Sequence, residues 1–164
     1  MTRNRKRIVL LVSAGLLVFG SIPFVLVWFQ PQKLVIDDRV NEAAPTAGPE
    51  ATATGAEATG AEGMFRPLAH GASGIAKVVG DTLRFEDFEV ENGPDLFVYL
   101  SAADADGPGR ALGDDIVDLG RLKGNIGSQN YAIPEGTDLE KYKTVVVWCR
   151  RFTVAFAAAE LADR

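Results

Sequence analysis

Two hydrophobic patterns divide the chain. Between Ile8 and Phe29 no residue is charged and Ile, Val, Leu and Phe dominate, a continuous apolar run of the kind that crosses a membrane as a helix. At 1.5 Å per residue it reaches about 33 Å, against a hydrocarbon core of about 30 Å. From Phe65 onward the apolar residues fall instead into short alternating or continuous runs separated by turn residues, the pattern of an all-β domain, a β-sandwich or small barrel of about seven strands. Strands are predicted near residues 74–79, 82–90, 95–101, 116–122, 128–133, 144–149 and 152–157. Gly80-Asp81 reads as a two-residue hairpin turn, and Asn92-Gly93-Pro94 and residues 104–109 as loops. Leu83 and Phe85 share one strand parity while Phe88 and Val90 have the other, so a bulge is expected at Glu86-Asp87. In Val145-Val146-Val147-Trp148-Cys149 both parities are apolar, which predicts a central strand covered on both faces with Cys149 at its end. One helical turn is expected at residues 139–142, and a short helix starting within residues 160–163.

Residues 30–63 separate the two patterns. From Asp37 to Gly63 they are mostly Ala, Thr, Gly, Pro and Glu, with a Gly-Ala-Glu near-repeat at residues 55–63, and bury too little apolar surface to offset the entropy of ordering. The expectation is a disordered tether with a root-mean-square reach of roughly 30 Å. The predicted organisation is a basic stub (1–7), a transmembrane signal-anchor helix (8–29), the linker (30–63) and a β domain (64–164). Arg3, Arg5, Lys6 and Arg7 precede the span, and Trp28 and Phe29 close it. By the positive-inside rule the N-terminus is cytoplasmic and the β domain lies outside, with the lipid bilayer as the first partner. Gln30-Pro31-Gln32 offers no small-x-small cleavage site, and no cysteine stands there to take a lipid, so an uncleaved single-pass anchor is expected.

Charge and composition then remove several function classes. The chain has 17 basic and 22 acidic residues, and four of the basic ones lie before the span, so the remainder is acidic and lacks a nucleic-acid footprint. One cysteine and one histidine exclude an internal disulfide, a four-cysteine zinc or iron–sulfur site and a multi-histidine site within one chain. Cys-x-x-Cys-His and Gly-x-Ser-x-Gly are absent, and Leu122-Lys123-Gly124-Asn125-Ile126-Gly127 lacks the setting of a phosphate loop. Asp104, Asp106, Asp114 and Asp115 lack the spacing of a calcium loop.

Cys149 and His70 are the candidate site residues. Cys149 reads either as a small buried hydrophobe or as an unpaired extracytoplasmic thiol; Arg150 or Arg151 would favour its thiolate if its guanidinium lay near the sulfur, although strand alternation sends at least one of them away. His70, before Gly71-Ala72-Ser73-Gly74, reads either as a solvated loop side chain or as a ligand of haem iron or copper with Cys149 as its partner. No cofactor is required by the sequence. Tyr99, Tyr131 and Trp148 are expected to pack, with electron relay as their alternative role.

Five segments in register carry a family resemblance: His70-Gly71-Ala72-Ser73-Gly74, Leu83-Arg84-Phe85-Glu86-Asp87-Phe88, Gly93-Pro94-Asp95-Leu96-Phe97-Val98-Tyr99-Leu100, the run from Leu119 to Pro134, and Val145-Val146-Val147-Trp148-Cys149. Over roughly residues 63–162 the chain resembles the electron-transfer DM-thirteen domain family. The resemblance implies a β-rich extracytoplasmic module proposed to act in redox chemistry through one cysteine, as a bare thiol or with a bound group such as haem. That cysteine corresponds to Cys149. The resulting expectation is an electron carrier rather than a classical enzyme, meeting an envelope redox protein. Two alternatives stand beside it: a non-catalytic adhesion or scaffold module that binds a surface component while Cys149 only packs, and a thiol sensor that forms a disulfide with a second chain.

Overall fold

The computed structural model describes residues 36–45, 60–105 and 112–162. The expected span lies outside them, as does most of the expected linker. Among the described residues no helix is long and apolar enough to cross a membrane. They form nine strands: β1 (Glu62–Met64), β2 (Arg66–Pro67), β3 (Ala72–Val79), β4 (Thr82–Val90), β5 (Leu96–Ser101), β6 (Ile116–Arg121), β7 (Gln129–Ala132), β8 (Thr144–Cys149) and β9 (Val154–Glu160). A four-stranded sheet runs in the order β1-β3-β4-β7 and a five-stranded sheet in the order β2-β9-β8-β5-β6. Of the two architectures expected, the sandwich is the one that forms. Phe65, Phe85, Phe88, Tyr131, Val147 and Phe156 are among the side chains that fill its interior.

The seven expected strands are present, and two short ones add to them. β1 and β2 are three and two residues long, too short for alternation to register, and the buried Phe65 between them carries the chain from one sheet to the other. Gly80-Asp81 joins β3 to β4 with Val79 opposite Thr82, and Gly80 takes the positive φ that a tight hairpin needs. Residues 139–142 make the expected turn, with Tyr142 N–H donating to Asp138 O and the Asp138 carboxylate accepting from Glu140 and Lys141 N–H. The helix expected from residue 160 does not form. β9 runs through Glu160, and Ala162 pairs with Glu62 in an isolated bridge, because the strand partner is there to satisfy the backbone.

Two bulges aim the side chains. In β4 the register passes from Ser73↔Glu89 to Ile75↔Glu86, three residues against two, with Asp87 at φ 46. That is the predicted phase change, and it turns Leu83, Phe85, Phe88 and Val90 all inward. Opposite it Gly74 has φ 113, and a Cβ there would stand 2.6 Å from Phe88 Cα. In β9 the register passes from Val147↔Ala157 to Trp148↔Ala155, so Phe156 is the extra residue and joins Ala157 on the inner side.

The disordered-tether expectation fails for residues 37–43, which form a strap along β7. Arg39 bridges Ile126 in parallel, Val40 N–H donates to Ile126 O, and Glu42 N–H donates to Ser128 O. Polar side chains rather than apolar burial hold it. Asn125 and Asn92 donate to Asp37 Oδ1 at 3.0 and 2.9 Å, Lys123 Nζ meets Glu42 Oε1 at 2.8 Å, and Arg84 Nη1 donates to the carbonyls of Glu42 and Ala43 at 3.2 Å. The Lys123 contact holds the Glu42 carboxyl below its ordinary range, aided by Asn130 N–H.

Candidate functional site

β8 lies in the middle of its sheet, between β9 and β5, and every one of its residues is buried. Alternation sends Val145, Val147 and Cys149 to the interior and Val146 and Trp148 to the outer face, where Phe97, Tyr99, Ala155 and Ala158 join them. Cys149 is fully buried, paired with Leu96 of β5 on one side and Val154 of β9 on the other. The predicted central strand with a terminal cysteine is therefore present.

Alternation is expected to send at least one of Arg150 and Arg151 away from the sulfur, and Arg150 is so placed. Arg150 belongs to the outer face. Its guanidinium lies 3.4 Å from the centre of the Phe97 ring and bonds to Tyr99 Oη and Asp118 Oδ2. Alternation carries it away from an inward-facing Cys149, and Arg151 is exposed. Cys149 has the surroundings of an apolar core residue.

His70 precedes β3 and stacks on Phe156, ring centres 3.8 Å apart and planes tilted by 31°. Its Nδ1 is 2.9 Å from Glu91 Oε2, and Glu91 Oε1 accepts from Gly71 N–H at 3.0 Å. The His70 contact comes first in holding the Glu91 carboxyl below its usual range, with Gly71 N–H second. The bulge in β9 makes this possible by turning Phe156 inward at the point where β4 ends. Glu91 and Phe156 were missed from sequence: Glu91 stands 21 positions from His70, and Phe156 gains its place from a bulge with no Gly or Pro to announce it.

His70 and Cys149 thus lie at the same end of the sandwich, joined through packing. Cys149 is opposite Leu96, and a side chain at Gly93 would strike both Leu96 and Phe156, on which His70 rests. They do not make a ligand pair of the expected kind. The sulfur is closed inside the core while the imidazole is engaged by Glu91 at the surface. Among the described residues no group of three His, Cys, Asp or Glu side chains could hold a metal. A haem or copper ligated through Cys149 needs an open side at the sulfur, and the residues present do not fit it.

The other candidates fall into place as packing. Tyr131 is buried, donates to Gln129 Oε1 at 2.7 Å, and has its hydroxyl pKa pushed well up by burial. Tyr99 and Trp148 cover the outer face of the five-stranded sheet. Asp115 is held by Lys141 and Tyr142, and Asp104 faces Lys143 at 3.9 Å. Asp106 lies outside the described residues.

A two-sheet antiparallel sandwich with one thiol buried at the end of its central strand defines a small all-β module. The family profile described as Electron transfer DM13 matches residues 64–161, and the chain belongs to that family. Comparison with curated proteins and with solved structures finds no significant match.

Proposed function

We propose that the chain is a membrane-tethered, extracytoplasmic module for electron transfer whose redox group is the bare thiol of Cys149. The observation that carries this reading is the family match over residues 64–161; the resemblance implies a redox cysteine, and Cys149 is the one cysteine of the chain. With a single cysteine, oxidation to a disulfide ends on a second molecule: two thiols lose two protons and two electrons as one S–S bond forms. Cys149 is the last residue of β8, directly before the exposed turn of residues 150–153. Opening that turn is the shortest route by which a partner's thiol meets the sulfur.

The complete burial of Cys149, with Arg150 turned away, favours a second reading in which the cysteine only packs and the sandwich is a scaffold or adhesion module. Protein purified in detergent from its native membrane separates the two. Its visible spectrum is expected to be featureless, as isolated and after dithionite; a band lost on Cys149→Ala would replace the bare thiol with a cofactor. Under a mild oxidant the redox reading expects a disulfide-linked species on non-reducing gels that is absent from Cys149→Ala. A thiol that stays reduced throughout leaves the scaffold reading in possession.

A further inference from the structure

The end of the sandwich that holds Cys149 also receives the chain from the N-terminal side. Asp37 is bonded to Asn92 and Asn125, beyond the end of β4 and before the start of β7, and residues 38–42 run from there along β7 away from that end. In sequence only residues 30–36 separate Asp37 from the apolar run ending at Phe29, and fully extended they allow at most about 28 Å. The Gly-Ala-Glu tract lies on the other side of the strap in sequence, between Ala43 and Ala61, each of which is held by the same domain. It therefore adds nothing to the reach of the tether.

Exposed apolar side chains are distributed with the same bias. Phe152 is 62% exposed at the tip of the β8–β9 turn, beside Thr153 at φ 51, and Leu68 is 41% exposed alongside Phe156. Met64 is exposed halfway along the sandwich, and among the described residues Ile116, opposite Ser101, is the large exposed apolar side chain at the other end. An aromatic tip next to an arginine, here Phe152 after Arg151, suits the boundary where acyl chains meet phosphate headgroups.

We propose that this end of the domain docks on the lipid bilayer, with Phe152 in the interfacial layer and Leu68 beside it. The inference rests on the membrane-tether reading above. It goes further by naming the surface that meets lipid and by directing the Cys149 end toward partners that reside in the membrane.

The test uses the full chain reconstituted into phosphatidylcholine–phosphatidylglycerol vesicles, with Phe152→Cys or Glu135→Cys carrying a nitroxide. Cys149 is buried and takes no label in the folded chain, which the unsubstituted protein checks. Glu135 is an exposed position in the loop at the opposite end. Power-saturation resonance is expected to show the label at 152 shifted toward oxygen and away from a nickel chelate relative to the label at 135. Alkaline extraction of the same vesicles reports on the tether. Chain retained in the membrane with position 152 as aqueous as position 135 overturns the docking proposal and leaves the tether standing. Chain released by alkali overturns the tether and the docking with it.

Discussion

Arg84 and Phe85 are neighbours in β4 and both are buried, yet they stabilise different things. Phe85 points into the sandwich, where its ring lies 4.7 Å from that of Phe65, 4.9 Å from Phe88 and 5.2 Å from Tyr131. Arg84 points out of it, to Glu86 at 2.8 Å, Asn130 at 2.9 Å and the carbonyls of the strap. The inner contacts gain from apolar burial and respond little to salt or pH. The outer ones gain from charge and hydrogen bonding, so salt and pH are expected to act on the strap before the core. One strand thus carries a permanent core on one side and a conditional attachment on the other.

The largest expected effect is on the inner side. Phe85→Ala removes the ring at the centre of the aromatic cluster and is expected to cost about 3–5 kcal/mol, read from the urea midpoint. A loss under about 1 kcal/mol would mean that the cluster collapses around the gap and that the contrast with the strap is overstated. The next effect is on the strap. Gly127 has φ 104, and a Cβ there would overlap Val40 O. Gly127→Val is expected to cost about 1–3 kcal/mol of backbone strain and to displace the strap, so that trypsin cleaves after Arg39 much faster than in the unsubstituted chain. Unchanged cleavage would show that the strap is not held where the bonds to Ile126 and Ser128 place it.

The same contrast separates what could be read from sequence from what could not. β8 announced itself because Val145 to Cys149 is apolar at both parities, and the β4 bulge because Leu83 and Phe85 are out of phase with Phe88 and Val90. Apolar burial leaves a periodic trace in the chain. Residues 37–43 leave none. Their partners Arg84, Lys123, Asn125 and Asn130 stand about 40 to 90 positions away, and a stretch poor in apolar residues looks disordered when its hydrogen-bond partners are out of sight. The site divides likewise. Cys149 was placed correctly at a strand end, and alternation turned at least one of the following arginines away from it, whereas the His70–Glu91–Phe156 contact depends on a bulge in an alanine-rich strand.

Acid is expected to act on the strap and spare the core. Glu42 is held below its ordinary value of 4.5 chiefly by Lys123, and Asp37 below its ordinary 3.8 chiefly by Asn125 and then Asn92. A carboxylate with a lowered folded pKa binds fewer protons than its unfolded counterpart. Its stabilisation is therefore complete above the ordinary value and is lost as the pH falls through the lowered one. Hydrogen exchange at the amides of Val40 and Glu42 should accelerate as the pH drops from about 5 toward 3, relative to the intrinsic acid-dependent rate, while the amides of β8 keep their protection. Equal loss in both places would make the strap part of one cooperative unit and would end the distinction between the two sides of β4.

The smallest effect expected is that of Glu42→Gln. The substituted side chain keeps an oxygen able to accept from Asn130 N–H, at 2.6 Å in the present arrangement, and loses the ion pair to Lys123. Both partners are partly exposed, so the loss should be at most about 1 kcal/mol. Salt dependence sharpens the comparison more than the midpoint does. In the unsubstituted chain trypsin cleavage after Arg39 should quicken as sodium chloride is raised, because screening weakens the Lys123 contact. In the variant the rate should begin higher and respond less to salt. A variant with the same salt response as the parent would assign the strap's hold to the neutral bonds of Asn125 and Asn130 and to the Arg84 donation, leaving Glu42 as a backbone acceptor whose charge contributes nothing.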